Sequence, residues 1–167
     1  FWQPMVEAVH GTIVECNTAY PGERNTTDAH RRTMIKHGWS KLFDVDILDA
    51  EGPDLELPIP NGKRIQKNLV GKNIKNYDSM LVLSHFKGHP MGGFGGALKQ
   101  LSIGCASSAG KANIHGAGKP EEMWTTEQNA FLESMADAAE SVVKLFDGKI
   151  VYINVMKNMS VDCDCCA

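Results

Sequence analysis

One stretch restricts the possible folds more than any other. Met80-Leu81-Val82-Leu83 is an apolar run of strand length. Ser84-His85-Phe86-Lys87-Gly88-His89-Pro90-Met91-Gly92-Gly93-Phe94-Gly95-Gly96 follows it, and then Ala97-Leu98-Lys99-Gln100-Leu101, a segment that can wind into a helix. Strand, glycine-rich loop and helix are how an α/β protein presents backbone N–H groups to an anion at a helix N-terminus. Lys87 and Lys99 flank the loop and would add charge to an oxyanion. Gly92, Gly93, Gly95 and Gly96 would let the backbone approach a ligand closely. The spacing fits neither a Walker A loop nor a dinucleotide fingerprint. A tight strand-to-helix crossing that needs no ligand is the competing reading.

The rest of the chain alternates helical and strand patterns around this centre. Residues 1–10 read as the end of a helix closed by Gly11. Residues 12–16 and 45–49 read as strands, with a helix between them capped at residues 26–28 and ending near Gly38. On that helix His30, Arg31, Arg32, Lys36 and His37 form a basic face, read as solvated. Residues 55–66 read as a small β-hairpin insertion turning at Asn61-Gly62, with Pro58 and Pro60 confining one arm to an edge. Residues 69–77 read as a short strand and a turn. Residues 104–111 are small and either pack under the loop or line a pocket, and residues 113–120 read as a loop carrying His115. Thr125 and Gln128 fit a capping box opening the clearest helix, which Asp147-Gly148 ends. Residues 149–155 are the last strand. The pattern predicts an α/β fold, a mainly parallel sheet with helices on both faces. On that fold the loops after residues 16, 84 and 155 would meet at one rim of the sheet.

Size and composition agree with a single domain over residues 1–167. A hydrophobic share of 43% and a charged share of 22% are those of a globular protein. The net charge of −3 argues against a general nucleic-acid surface. No apolar run reaches the length of a membrane span. The chain opens at Phe1 within an amphipathic segment and stops at Cys165-Cys166-Ala167, so it reads as a piece of a longer protein. Five cysteines, three of them at 163, 165 and 166, suit a reducing cytoplasm better than a secreted disulfide scaffold.

Within residues 84–111 the sequence resembles a family known as domain of unknown function 362, uncharacterised iron–sulfur-centre proteins. The residues that carry this are Lys87-Gly88-His89, then Gly93-Phe94-Gly95-Gly96-Ala97-Leu98-Lys99, then Leu101 and Gly104. Tyr77-Asp78 and the terminal Asp162-Cys163-Asp164-Cys165 are similar to the family in the same order, so the resemblance covers at least residues 70–167. Gln100 stands where members often have asparagine. Many members also carry a ferredoxin-like domain with cysteines two residues apart, a spacing absent from this chain. The resemblance implies an iron–sulfur cluster, or a single iron or zinc ion, and redox chemistry.

Thiolates suit zinc or iron, but neighbouring side chains on an extended segment point opposite ways. Cys163 and Cys165 share one face, and Asp162 and Asp164 the other. A metal there would draw further ligands from elsewhere, with His89 or His115 as candidates. His85 is read as structural, and Cys16 and Cys105 as small buried hydrophobes. The expected protein binds a small anionic ligand at the glycine-rich loop. Lys87 and Lys99 would hold charge, His89 would carry a proton or ligate, and Asp162, Cys163 and Cys165 would hold a nearby metal. The alternative is a non-catalytic binding or scaffold module for a ferredoxin-like domain elsewhere in the full-length protein. A plain structural domain would be favoured if Lys87, His89 and Lys99 pointed apart.

Overall fold

The computed structural model describes residues 2–160. Asp162, Cys163, Asp164, Cys165 and Cys166 lie outside them. Helices and strands alternate as the hydrophobic patterning predicts. The first helix, α1 (Gln3–Ala8), is closed differently from the expectation. His10 takes the left-handed φ of 49°, and the Gly11 N–H reaches back to Val6 O at 2.9 Å.

β1 (Ile13–Glu15) and β2 (Val45–Ile47) form a parallel pair. α2 (Thr27–Lys36) connects them, capped by the Thr26 hydroxyl, which accepts from Ala29 N. Its basic face is not wholly solvated. His30 is buried and hydrogen-bonds Asn17 Oδ1 through Nδ1 at 3.2 Å.

The expected hairpin is present with its second arm displaced. β3 (Leu55–Pro58) pairs antiparallel with β4 (Lys67–Val70). The arms close where Ile59 N donates to Gln66 O at 2.8 Å, so residues 60–65 form a wide loop and no two-residue turn forms at Asn61-Gly62. Asp137 holds that loop, its carboxylate accepting from the backbone N–H groups of Lys63, Arg64 and Ile65.

β5 (Met80–His85) and β8 (Ile150–Val155) are the second parallel pair. Between them the glycine-rich stretch folds as a tight antiparallel hairpin, β6 (Lys87–His89) and β7 (Gly93–Gly95). α3 (Ala97–Lys99) then runs into a π-helical turn over Gln100–Gly104. α4 (Ser108–His115) takes in residues 113–115, which had read as the start of a loop. α5 (Gln128–Leu145) is the long helix expected, but its N-cap is Glu127, which accepts from Asn129 N and Ala130 N. Thr125 and Thr126 instead turn back to Glu122 O.

The described strands thus make two parallel and two antiparallel pairs, a mixed α/β arrangement of small sheets. α5 is its spine. Phe131, Met135 and Ala138 pack with Ile59, Ile103 and Ile114, while Ala139, Val142 and Phe146 pack with Leu48, Val70 and Val82. Burial of these side chains is the main stabilising term, at roughly 1.5–3 kcal/mol for each large apolar group. Among the described residues no helix is long and apolar enough to cross a membrane.

Candidate functional site

Strands release their loops at their carboxyl ends, and here those ends meet. Glu15, Cys16 and Thr18 at and beyond the end of β1, and Ser84, His85, Lys87 and His89 at and beyond the end of β5, line one cavity of about 270 Å³. The chain after β8 closes beside it. His85 Nε2 donates to Lys157 O at 2.7 Å, and Gly88 N donates to Ser160 O at 2.8 Å. Asp49 fixes the opposite wall, accepting from Asn17 N at 2.9 Å and Ser108 N at 3.0 Å. One carboxylate thereby ties the loop after β1 to the start of α4.

The glycine-rich hairpin delivers Lys87, His89 and Lys99 to the same cavity. Gly93, at φ 71°, makes the hairpin's turn. Gly95 lies between the two lysine stems, since a Cβ there would sit 3.7 Å from Lys99 Cδ and 3.8 Å from Lys87 Cγ. Gly95 and Gly96 line the cavity, while Gly92 and Gly93 are not on its wall. The expected anion seat at a helix N-terminus does not form in that way. α3 is short, and its Ala97 N–H donates to Asn154 Oδ1 at 3.0 Å. Side-chain cations rather than helix-end N–H groups surround the cavity.

Two side chains of the cavity wall, one of them a cation, come from α4. Lys111 and His115 are four residues apart on the helix and so share a face. Ser107 caps this helix, accepting from Gly110 N at 3.1 Å, and Gly110 lets it lie against β4, where a Cβ would meet Leu69 O at 2.0 Å. Lys111 is buried, donating one of its three N–H bonds to Ala106 O at 2.6 Å. Residues 104–111, read only as small residues that pack under the loop or line a pocket, and residues 113–120, read as loop, together make this helix and its end, so Lys111 was not singled out as a cation of the site. The Ser107 cap just before it was the available signal.

The electrostatics are lopsided. Among the described residues the cavity wall carries Arg24, Lys87, Lys99 and Lys111 against a single carboxylate, Glu15. Burial pushes Glu15 above the usual carboxylate range, with Arg24 and Lys111 opposing. Burial lowers Lys111, opposed by the Cys16 thiol, Asp49 and Glu15. His89 is lowered to about 4, first by burial and then by Lys99, His115 and Lys87. His115 is lowered too, chiefly by burial. Both imidazoles are therefore neutral at pH 7, and their tautomers are opposite. His89 Nδ1 accepts from Gly92 N at 2.9 Å, which puts its proton on Nε2. His115 Nδ1 donates to Lys111 O at 2.7 Å, which leaves a lone pair on Nε2. Ser84, buried on the same wall, has a hydroxyl with no hydrogen-bond partner among the described residues. Burial raises both Cys16 and Cys105, the latter to about 12, so these are inert thiols and not nucleophiles.

The metal expectation divides between described and undescribed residues. Asp162, Cys163 and Cys165 fall outside the described residues. Among the described residues no group of three or more His, Cys, Asp or Glu side chains could hold a metal ion. His89 has the wrong form for a ligand here, with Nδ1 occupied by Gly92 N and Nε2 protonated. His115 presents the lone pair instead.

Comparison with known proteins places the chain in one family. The family model described as Domain of unknown function (DUF362) matches residues 1–167. The chain belongs to that family, and the likeness read from residues 70–167 extends over its whole length. No curated protein and no solved structure matches it.

Proposed function

We propose that this member of the domain of unknown function 362 family binds a small anionic ligand, bearing a phosphate or carboxylate, in the rim cavity. The observation that carries the reading is the convergence of Arg24, Lys87, Lys99 and Lys111 on one small cavity with a single opposing carboxylate. Charge-assisted hydrogen bonds from such groups are the strong ones, at roughly 1.5–3 kcal/mol each. His89 Nε2–H would donate to the anion, His115 Nε2 would accept from a protonated ligand oxygen such as the O–H of a hydrogen phosphate, and the Ser84 hydroxyl, without a partner among the described residues, would donate to it. Glu15 and Lys111, with ionisation displaced toward each other, are the groups suited to move a proton to or from a bound molecule. A cavity of about 270 Å³ suits a ligand of a few heavy atoms rather than a dinucleotide. Titration with inorganic phosphate tests the reading, and saturable one-to-one binding is the expected result.

A metal ion or iron–sulfur cluster beside the anion is the second part of the proposal, and with it a redox reaction. It rests on Asp162, Cys163 and Cys165 together with the family resemblance. Elemental analysis of protein purified without oxygen tests it. Stoichiometric iron or zinc, lost in a Cys163→Ser/Cys165→Ser variant, is expected, and metal-free protein would remove this part. A ferredoxin-like domain in the full-length protein would be the electron partner, and the cytoplasm the compartment. The reading also takes β1–β2 and β5–β8 as two parts of one mainly parallel sheet covered by helices on both faces.

A further inference from the structure

A cavity built for a bare anion would present donors alone. The rim cavity is walled mostly by them: Arg24, Lys87, Lys99 and Lys111, with the Nε2–H of His89. Two acceptors stand among these donors, the Glu15 carboxylate and the lone pair on His115 Nε2. Glu15 has cations within the protein acting on it, since Arg24 and Lys111 oppose the effect of its burial. The lone pair of His115 has no such counterpart.

Three contacts fix that lone pair in place. The His115 ring stacks on Phe131, with centroids 4.8 Å apart and planes 25° from parallel. Its Nδ1 is turned back to its own helix, donating to Lys111 O at 2.7 Å. A carbonyl oxygen can only accept, so Nδ1 carries the proton and Nε2 of the neutral ring does not. Both partners belong to well-packed helices, because Phe131 is fully buried in α5 and Lys111 is buried in α4. Among the described residues the buried side-chain polar atoms without a partner are Asn68 Oδ1 and Ser84 Oγ. His115 Nε2 is not one of them and has no hydrogen bond there either, so it is open to the cavity it lines.

Such a lone pair takes a metal ion or a hydrogen-bond donor. Among the described residues no set of three ligating side chains forms around it, which favours the donor. Facing a fully deprotonated oxyanion, Nε2 would set one lone pair against another. Facing an O–H, it completes a hydrogen bond. His89 lies close enough for the two rings to influence each other's ionisation, and it offers the complementary Nε2–H. The two imidazoles together match one group that is charged at one oxygen and protonated at another. Sites that hydrogen-bond a ligand O–H discriminate strongly against analogues lacking it, because a polar group of the site is then left unpaired.

We infer that His115 determines specificity in the rim cavity, selecting an oxyanion that carries its own O–H, such as hydrogen phosphate, over an aprotic isostere such as sulfate. This deepens the anion-binding reading and rests on it.

Calorimetric titration of the protein with phosphate and with sulfate, at pH 7 and matched ionic strength, tests the inference. Phosphate is expected to bind at least about tenfold more tightly, although the two anions are alike in shape and size. In His115→Phe an aromatic ring can keep the stack on Phe131 without the acceptor. That variant should lose the preference, with phosphate weakened and sulfate unchanged, whereas a general loss of structure would weaken both. A second readout needs no variant. The nitrogen resonance of His115 Nε2 should shift when phosphate is added and stay in place with sulfate. Glycolate against acetate puts the same question to carboxylates, and tighter glycolate would make a hydroxy acid the ligand rather than phosphate. Equal affinity within both pairs, or a preference that survives in His115→Phe, would overturn the inference and leave the anion site standing. Failure of all four anions to bind would remove the site and the inference together.

Discussion

His89 is a single side chain whose surroundings make a measurable claim. Its pKa is lowered from 6.5 to about 4 by burial and by the neighbouring Lys99, His115 and Lys87. The unfolded chain therefore takes up a proton before the folded protein does. The stability linked to His89 is complete above about pH 6.5 and is lost as pH falls toward 4, by at most about 1.4 kcal/mol per pH unit. An NMR titration of the imidazole should inflect near pH 4 and show the proton on Nε2 at neutral pH. An inflection near 6.5 would contradict the buried, cation-flanked placement. Lys87, His89 and Lys99 were legible in the sequence because a glycine-rich hairpin carries them within a few residues of one another. Lys111 was legible only as the last of a run that could line a pocket, since its contribution depends on α4 lying against β4 at Gly110. That is a tertiary contact with no local pattern beyond one small residue.

Elements were more legible than their ends. α5 follows from its apolar face, but its cap was misassigned because two good candidates stand within three residues. Thr125 and Glu127 both carry acceptors, and Thr125 is drawn back to Glu122 O, which leaves Glu127 to satisfy the helix's first N–H groups. Glu127→Ala should cost about 1 kcal/mol in a denaturant melt, and Thr125→Ala markedly less. The reverse order would restore the capping box. The glycine-rich stretch was read as an open loop, and it pairs with itself because Gly93 permits the turn and β6 and β7 are each three residues long. At α4, Gly110→Ala would push a methyl group into Leu69 O, displacing the helix that holds Lys111 and His115. A loss of about 1–3 kcal/mol is expected, with weaker anion binding alongside it. A neutral outcome in both measurements would show that α4 does not depend on that close contact.

At the scale of the molecule, alternation of helix and strand predicted α/β architecture, and the structure contains it. The mainly parallel sheet expected from that alternation is not what the described strands show, since they pair two by two, two pairs parallel and two antiparallel. Hydrophobic runs identify buried strands but carry no information on which strand neighbours which. What the fold does settle is that the carboxyl ends of β1 and β5 open on one cationic cavity, which the sequence could only suggest from topology. The measurement that tests the account most directly is calorimetric titration of the chain with inorganic phosphate at pH 7 and low salt. The titration is repeated on Lys99→Met and Lys111→Met variants. The account predicts one saturable site, weakened about tenfold or more in each variant, a loss of about 1.4 kcal/mol or greater. No saturable heat, or an affinity unchanged in both variants, would contradict it.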